Sequence, residues 1–177
     1  MNHWYLVSSL PVLRFGEKPT MSVGAFRAAC MGPLSEDEQL AVDAVLENRE
    51  PLSGLASTYW NREVQLRDAV VRVRAKNRGT DASPFLKPYS DFSVAIEKQV
   101  VDAFSRPNPL EQELALDRAR WGQADEIALT APFGFPGLLA FAIKVRIAER
   151  WGILDESVGQ EKVEELVLSA LEEPGNE

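Results

Sequence analysis

The stretch APFGFPGLLAFAIKVRIAERWGILDE, residues 131–156, decides the fold that we predict for this chain. From Pro136 onward its apolar residues fall on nearly every side of a helix, and a helix that is apolar all round is a central one. We therefore predict that this helix lies inside a bundle with other helices packed around it. Its large apolar residues are Leu138, Leu139, Phe141, Ile143, Val145, Ile147 and Trp151.

Capping signals on both sides of this segment predict further helices. Ser35 and Glu38 form a capping box, in which the serine accepts from the third helical N–H and the glutamate reaches back. Ser157 and Gln160 repeat the pattern and open a last helix that carries apolar residues as far as Leu171. The predicted helices begin near Ser22, Ser35, Ser53, Asp91, Pro109, Pro136 and Ser157.

Two of these helices are long. The helix from Ser53 to about Arg78 ends at Gly79 and carries two adjoining apolar stripes, so we expect it to lie between two neighbours. The helix that begins at Pro109 carries Leu114, Trp121 and other apolar residues on its inner side. Its charged residues are predicted to lie outside: Glu111, Glu113, Asp117, Arg118 and Arg120.

The sequence as a whole predicts an all-α fold, a multi-helix bundle of about six or seven helices. We interpret residues 1–177 as a single helical domain with a joint between sub-bundles at 79–90, where one glycine and two prolines interrupt the helical pattern. Residues 4–13 fit either a short strand or a single helical turn, and periodicity does not decide between them.

Composition limits the classes of function. The net charge of −8 and pI of about 4.8 argue against nucleic-acid binding, because an acidic surface repels phosphates. A single cysteine, Cys30, excludes an internal disulfide and indicates a reducing, cytoplasmic compartment. The longest apolar run, Pro136 to Val145, is shorter than the ~20 residues that span a membrane, and the N-terminus lacks a basic signal-peptide region. We therefore expect no direct membrane insertion.

Residue types that support catalysis or metal binding are scarce. His3, the one histidine, is interpreted as a surface residue near a fraying terminus. Cys30 is interpreted as a buried free thiol. The glycines at 134 and 137 lack the Lys-Ser/Thr ending of a phosphate loop. The sequence thus predicts no catalytic, cofactor-binding or metal site, and a protein that is not an enzyme.

Six residues are candidates for binding a partner. A basic segment near the end of the long helix is either a stabilised helix C-terminus, since cations favour that end, or a docking surface for an acidic partner. Two aromatic residues before the central helix either line a cleft or close the end of a core. The candidates are Arg67, Arg72, Arg74, Lys76, Phe133 and Phe135.

Three segments together resemble an uncharacterised bacterial family whose genes accompany those of V-type ATPases. One is YLVSSLP at Tyr5–Pro11 and another is LRDAVVRVRAK at Leu66–Lys76. The third is FGFPGLLAFAIK at Phe133–Lys144, followed by ERW at Glu149–Trp151. The resemblance extends over most of the chain.

This resemblance implies a non-catalytic part of a V/A-type rotary ATPase involved in ion transport. The implied place is that of the C-type stalk subunit (the d-type subunit of eukaryotes), a helical funnel that joins the central stalk to the membrane rotor ring. The implied partners are other subunits of the ATPase, and the implied location is cytoplasmic, peripheral to the inner membrane through the complex. The alternatives are a transient assembly or regulatory factor, or a ligand-binding helical protein with a pocket beside Phe133 and Phe135.

Overall fold

The computed structural model describes residues 3–52 and 54–153, which form seven α-helices, two 3-10 turns and no strand. This confirms the predicted all-α, multi-helix fold. The predicted helix that opens at Ser157 lies outside the described residues. The helices are α1 Trp4–Ser9, α2 Val23–Cys30, α3 Glu36–Leu46, α4 Ser57–Arg78, α5 Val94–Phe104, α6 Pro109–Thr130 and α7 Phe135–Ile153. The 3-10 turns are Gly54–Ala56 and Ser83–Phe85.

Local capping explains where three of these helices begin and where a fourth one ends. The side chain of Ser22 accepts from Ala25 N–H, and the capping box of Ser35 is complete. Asn108 caps α6, which has Pro109 in its first turn. Gly79 ends α4 in the left-handed conformation (φ 65°), which a glycine adopts without strain.

Two predicted helix starts differ from the observed ones. The long helix was expected from Ser53, but a 3-10 turn precedes it and α4 begins at Ser57. The helix expected from Asp91 begins at Val94 instead. Asp91 has a φ of 60°, which is incompatible with a right-handed helix, so the helix opens three residues later.

The N-terminal segment is helical over Trp4–Ser9, which resolves the two alternatives that periodicity left open. The prediction that His3 is a surface residue was wrong: it is 5% exposed, and its Nε2 lies 2.8 Å from Glu38 Oε1. Leu6 of α1 is buried in the same apolar core as α3 and α7. These contacts attach His3 and α1 to the rest of the bundle.

One apolar core surrounds α7, as the pattern of residues 136–151 predicts. We call it the first core; it joins α7 to residues of α1, α2 and α3, the start of α4 and the end of α6. Its fully buried members include Phe26, Leu138 and Ile143. The rings of Phe26 and Phe141 pack 4.8 Å apart between centroids.

A second core is formed by the C-terminal part of α4, by α5 and by the N-terminal part of α6. It contains Leu66 and Val70 of α4, Ile96 and Val100 of α5, and Leu116 of α6. Both long helices therefore contribute to both cores. The predicted joint at 79–90 connects α4 to α5, and both of these helices contribute to the second core. The boundary between the two cores falls instead within α4 and within α6.

Candidate functional site

The candidate arginines of α4 bind acidic residues of this chain. Arg67 Nε lies 2.8 Å from Glu63 Oε1, and its guanidinium lies 5.3 Å from the centre of the Trp60 ring. Arg72 Nη2 lies 2.7 Å from Glu97 Oε1 on α5. These contacts give both arginines an intramolecular role that the basic pattern alone did not reveal.

The remaining two basic candidates are more exposed. Arg74 Nη2 lies 3.6 Å from Glu113 Oε1 and its guanidinium lies 5.7 Å from the Phe104 ring. Lys76 is exposed in the last turn of α4, where a cation interacts favourably with the helix dipole. Docking of an acidic partner on this segment stays a prediction, and Arg74 and Lys76 are its exposed candidates.

The two aromatic candidates have different environments. Phe135 is partly buried against the first core, and its ring centroid lies 6.3 Å from that of His3. Phe133 is 58% exposed. Phe135 thus closes the end of a core, one of the two alternatives, whereas Phe133 presents its ring to solvent.

Three exposed aromatic residues lie close in sequence to His3 or to Phe135, whose rings are near each other. Trp4 is 57% and Tyr5 80% exposed, and both directly follow His3, which contacts Phe135. Phe133 lies two residues before Phe135. We call Trp4, Tyr5 and Phe133 the aromatic end. It combines two segments of sequence that are more than 120 residues apart.

A group of buried charges lies where α4 and α6 pass from one core to the other. The side chains of Glu63 and Asp117 are each 2% exposed. Arg120 links them: its Nε lies 2.9 Å from Glu63 Oε2, and its Nη1 lies 2.8 Å from Asp117 Oδ1. The prediction that Asp117 and Arg120 lie outside was therefore wrong, because ion pairing between helices compensates their burial.

The same group continues onto α7. Arg150 Nη1 donates to Asp117 Oδ2 at 3.0 Å, and Trp151 Nε1 donates to that oxygen at 2.9 Å. Arg150 Nη2 also lies 3.3 Å from Glu113 Oε2. The charged residues thus connect α4, α6 and α7 at the boundary between the cores.

The protonation of these groups follows from their partners. Burial alone would raise the pKa of Glu63, but Arg120 and Arg67 outweigh burial and hold that pKa below its ordinary value. Burial alone would likewise lower the pKa of Arg120, and Glu63 and Asp117 raise it instead. The carboxylate and the guanidinium are therefore both charged at neutral pH.

A cavity of about 250 Å³ adjoins this group of charges. Arg146 stands out among its lining residues, since its Nη1 donates to Val45 O at 2.6 Å and to the Tyr59 hydroxyl at 2.9 Å. Within the described ranges no carboxylate lies at ion-pair distance from Arg146. The lining residues are Asn48, Glu113, Asp117, Arg120, Arg146, Ile147 and Arg150.

Cys30 is buried at the end of α2. Burial, with a smaller contribution from Asp43, raises the pKa of its thiol to about 11. The prediction of a buried free cysteine is confirmed, and a thiol with this pKa is a poor nucleophile at neutral pH.

Neither a metal-binding cluster nor a membrane span is found in the described part of the chain. Among residues 3–52 and 54–153, no three His, Cys, Asp or Glu side chains are placed to hold a metal ion. None of the helices in these ranges has the length and hydropathy of a membrane span. Comparison with protein-family models, curated proteins and solved structures found no match to this chain.

Proposed function

We propose that this protein is a non-catalytic subunit of a V/A-type rotary ATPase and joins the central stalk to the membrane rotor ring. It binds other subunits through the aromatic end and acts on the cytoplasmic side, peripheral to the membrane. The proposal starts from the resemblance of three sequence segments to the family encoded beside such ATPases.

The aromatic end is the observation that supports this proposal most. Phe135 belongs to one of the three resembling segments, Phe133–Lys144, and its ring centroid lies 6.3 Å from that of His3, two residues before another, Tyr5–Pro11. Both segments also contribute to the first core, through Leu6 and Leu138. Segments that are distant in sequence therefore pack into one core, and each of them has exposed aromatic rings in it or beside it.

Exposed aromatic rings have a physical reason to bind protein. Removing a large ring from water is favourable, and aromatic residues are enriched at the centres of protein interfaces. Tyr5 and Trp4 each combine an apolar ring with a polar atom. Such a side chain suits an interface that buries the ring and leaves the polar atom hydrated. The aromatic end therefore offers a tryptophan and a tyrosine, two of the residue types that dominate binding energy in such contacts, together with an exposed phenylalanine.

Affinity purification of the tagged full chain from native membranes tests the proposal. We expect central-stalk subunits to be recovered with it at a fixed ratio. The combined variant Trp4→Ser, Tyr5→Ser, Phe133→Ser should lose most of this recovery, while its circular dichroism and thermal unfolding stay close to those of the natural chain because all three side chains are exposed.

A matched control variant removes exposed aromatic rings that lie outside the aromatic end. Phe85 and Phe92 are 70% and 61% exposed and lie in the connection between α4 and α5. The variant Phe85→Ser, Phe92→Ser should recover the stalk subunits as the natural chain does. Recovery of the natural chain without any ATPase subunit would contradict the proposal.

The stoichiometry in the same purification separates a resident subunit from a transient assembly factor. A resident subunit persists at a constant ratio in the mature, active ATPase. An assembly factor would be found only with incomplete complexes. We expect the constant ratio.

A further inference from the structure

The cavity beside Arg146 is lined by more positive than negative groups. Its charged lining residues are three arginines and two carboxylates: Arg120, Arg146, Arg150, Glu113 and Asp117. The direct ion-pair partners of these residues leave the balance unchanged, because Arg120 pairs with Glu63 and Glu113 pairs with Arg74. The cavity therefore has an excess of one positive charge.

The two carboxylates of the cavity are bound by arginines other than Arg146. Asp117 accepts from Arg120 Nη1 at 2.8 Å and from Arg150 Nη1 at 3.0 Å. Glu113 Oε2 lies 3.3 Å from Arg150 Nη2. No carboxylate of residues 3–52 and 54–153 lies at ion-pair distance from Arg146, so within these ranges the excess charge belongs to that residue.

Arg146 is held in place and retains donors for a ligand. Its Nη1 donates to Val45 O at 2.6 Å and to Tyr59 Oη at 2.9 Å. A guanidinium has five N–H donors in a fixed plane, so Nε and Nη2 keep donors for a further group. These two nitrogens present parallel N–H bonds, and the two oxygens of a carboxylate match that spacing.

Asn48 adds an uncharged donor to the same cavity. The Tyr59 hydroxyl accepts from Arg146 and donates to Asn48 Oδ1 at 2.8 Å, which leaves the Nδ2 donors of Asn48 for a ligand. Asn48 has a φ of 54°, a conformation that asparagine adopts more readily than most residues. Arg146, Tyr59 and Asn48 thus form one hydrogen-bonded chain with donors at both of its ends.

The charge and the size of the cavity indicate the class of ligand. A single carboxylate balances one excess positive charge, whereas a dianion would place a second negative charge beside Glu113 and Asp117. The volume of about 250 Å³ lies below the ~300–1,000 Å³ of pockets for drug-sized ligands. Six of the seven lining residues are polar or charged, and the seventh is Ile147. The cavity therefore suits a small, polar monocarboxylate.

We propose that this cavity is a binding site for a small molecule with one carboxylate. The carboxylate accepts from Nε and Nη2 of Arg146, and Nδ2 of Asn48 donates to the same ligand. Arg146 is partly buried, which strengthens the pair relative to one in open water. The site is independent of the ATPase proposal, because neither the aromatic end nor another subunit takes part in it.

The Nε–Hε signal of Arg146 in a nitrogen-15 NMR spectrum of the full chain tests the proposal. The signal is assigned by its loss in Arg146→Lys. Acetate and lactate, added in a carboxylate-free buffer near neutral pH, should shift it saturably in the millimolar range, because such small ligands have few atoms to contribute affinity. Sulfate at matched ionic strength should bind several-fold more weakly. The absence of a saturable shift with either carboxylate would overturn the proposal, as would tighter binding of sulfate.

Two variants change the proposed donors, and the backbone amide signal of Ile147 follows lactate binding in both. Arg146→Lys keeps the charge but loses the planar pair of donors, so the affinity should fall several-fold. Asn48→Gly removes the side-chain amide and accepts the positive φ without strain, so a smaller loss of affinity is expected. Unchanged affinity in both variants would contradict the assignment of these donors.

Arg78→Gln is the matched control. Arg78 is exposed in the last turn of α4 and lies outside the cavity, so its loss should leave lactate binding unchanged. A loss of affinity in Arg78→Gln as large as that in Arg146→Lys would show that the carboxylate is attracted by the overall charge of the protein, and the proposed site would be wrong.

Discussion

Gly137 has a structural role that its sequence motif does not reveal. The FGFPG segment invites comparison with a phosphate loop, but Gly137 lies in the first turn of α7 and packs against the backbone before it. A Cβ added there would lie 2.1 Å from Pro132 O, well inside van der Waals contact. The glycine allows the connection between α6 and α7 to turn tightly and bring the two helices together.

Substitution of Gly137 should therefore destabilise the fold. We expect Gly137→Ala to lower the free energy of unfolding by about 1–3 kcal/mol, since a methyl group must displace backbone. Gly122→Ala is the matched control: that glycine lies in α6 with open space around it. It should gain about 0.5–1 kcal/mol from the better helix propensity of alanine. Urea unfolding measures both changes, and equal effects would contradict the steric explanation.

Glu63 makes the stability of the protein dependent on pH. Its pKa in the folded state lies below the ordinary value of 4.5, because Arg120 and Arg67 outweigh the effect of burial. The unfolded chain therefore binds a proton more readily than the folded one. The stabilisation by Glu63 is complete above the unfolded pKa and is lost as pH falls through the lower, folded pKa.

Replacement of Glu63 should reveal this contribution. We expect Glu63→Gln to lower the free energy of unfolding at pH 7 by about 3–5 kcal/mol, the range for breaking a buried ion pair. The difference from the natural chain should shrink as pH falls below about 4.5. Glu126→Gln, which breaks an exposed pair with Arg62, should cost at most about 1 kcal/mol at any pH. Unfolding curves measured across this pH range give both values.

At the scale of elements, polar side chains of α4 hold the connection that leads to α5. Gln65 is fully buried; its Nε2 donates to Ser93 O at 2.7 Å, and its Oε1 accepts from Ser93 N at 2.9 Å. Asp68 accepts from Lys87 N at 3.1 Å. The end of the segment that we predicted as a joint, and the residues that follow it, are thus attached to the helix that precedes it.

Loss of the Gln65 contacts should loosen this connection. We expect Gln65→Ala to lower the free energy of unfolding by about 1–3 kcal/mol, because the N–H and C=O of Ser93 would lose their partner. Amide exchange over residues 87–93 should accelerate more than exchange in α7. Gln99→Ala, at an exposed position of α5, should leave the exchange rates unchanged. Uniform acceleration throughout the chain would contradict a local role for Gln65.

Features that depend on residues close together in the sequence could be predicted, whereas features that depend on residues far apart in the sequence could not. The caps at Ser35 and Asn108 involve residues three positions apart, and the apolar pattern of α7 lies within one helix. The burial of Arg120 depends on Glu63, which is 57 positions away, and a single helix pattern does not contain that information. His3 was misassigned for the same reason, because its partner Glu38 lies in another helix.

At the scale of the whole molecule, α4 and α6 each contribute residues to both cores. Tyr59 lies in the first core and Leu66 in the second, with Glu63 between them on the same helix. Ala124 and Leu116 stand in the same relation on α6, with Arg120 between them. Because each long helix is continuous, one core cannot unfold without disrupting helices that support the other. We infer that the two cores unfold together.

The tryptophans allow this inference to be tested. Trp60, Trp121 and Trp151 all pack against the first core, so their fluorescence reports on that core. Val100 is fully buried in the second core. We expect Val100→Ala to cost about 1–3 kcal/mol and to lower the midpoint of the fluorescence transition by about 2–4 °C per kcal/mol. Circular dichroism, which reports all helices, should give the same midpoint. If the fluorescence midpoint of Val100→Ala stays unchanged while part of the circular dichroism signal is lost at a lower temperature, the two cores unfold separately. The continuity of α4 and α6 would then not transmit stability between the cores.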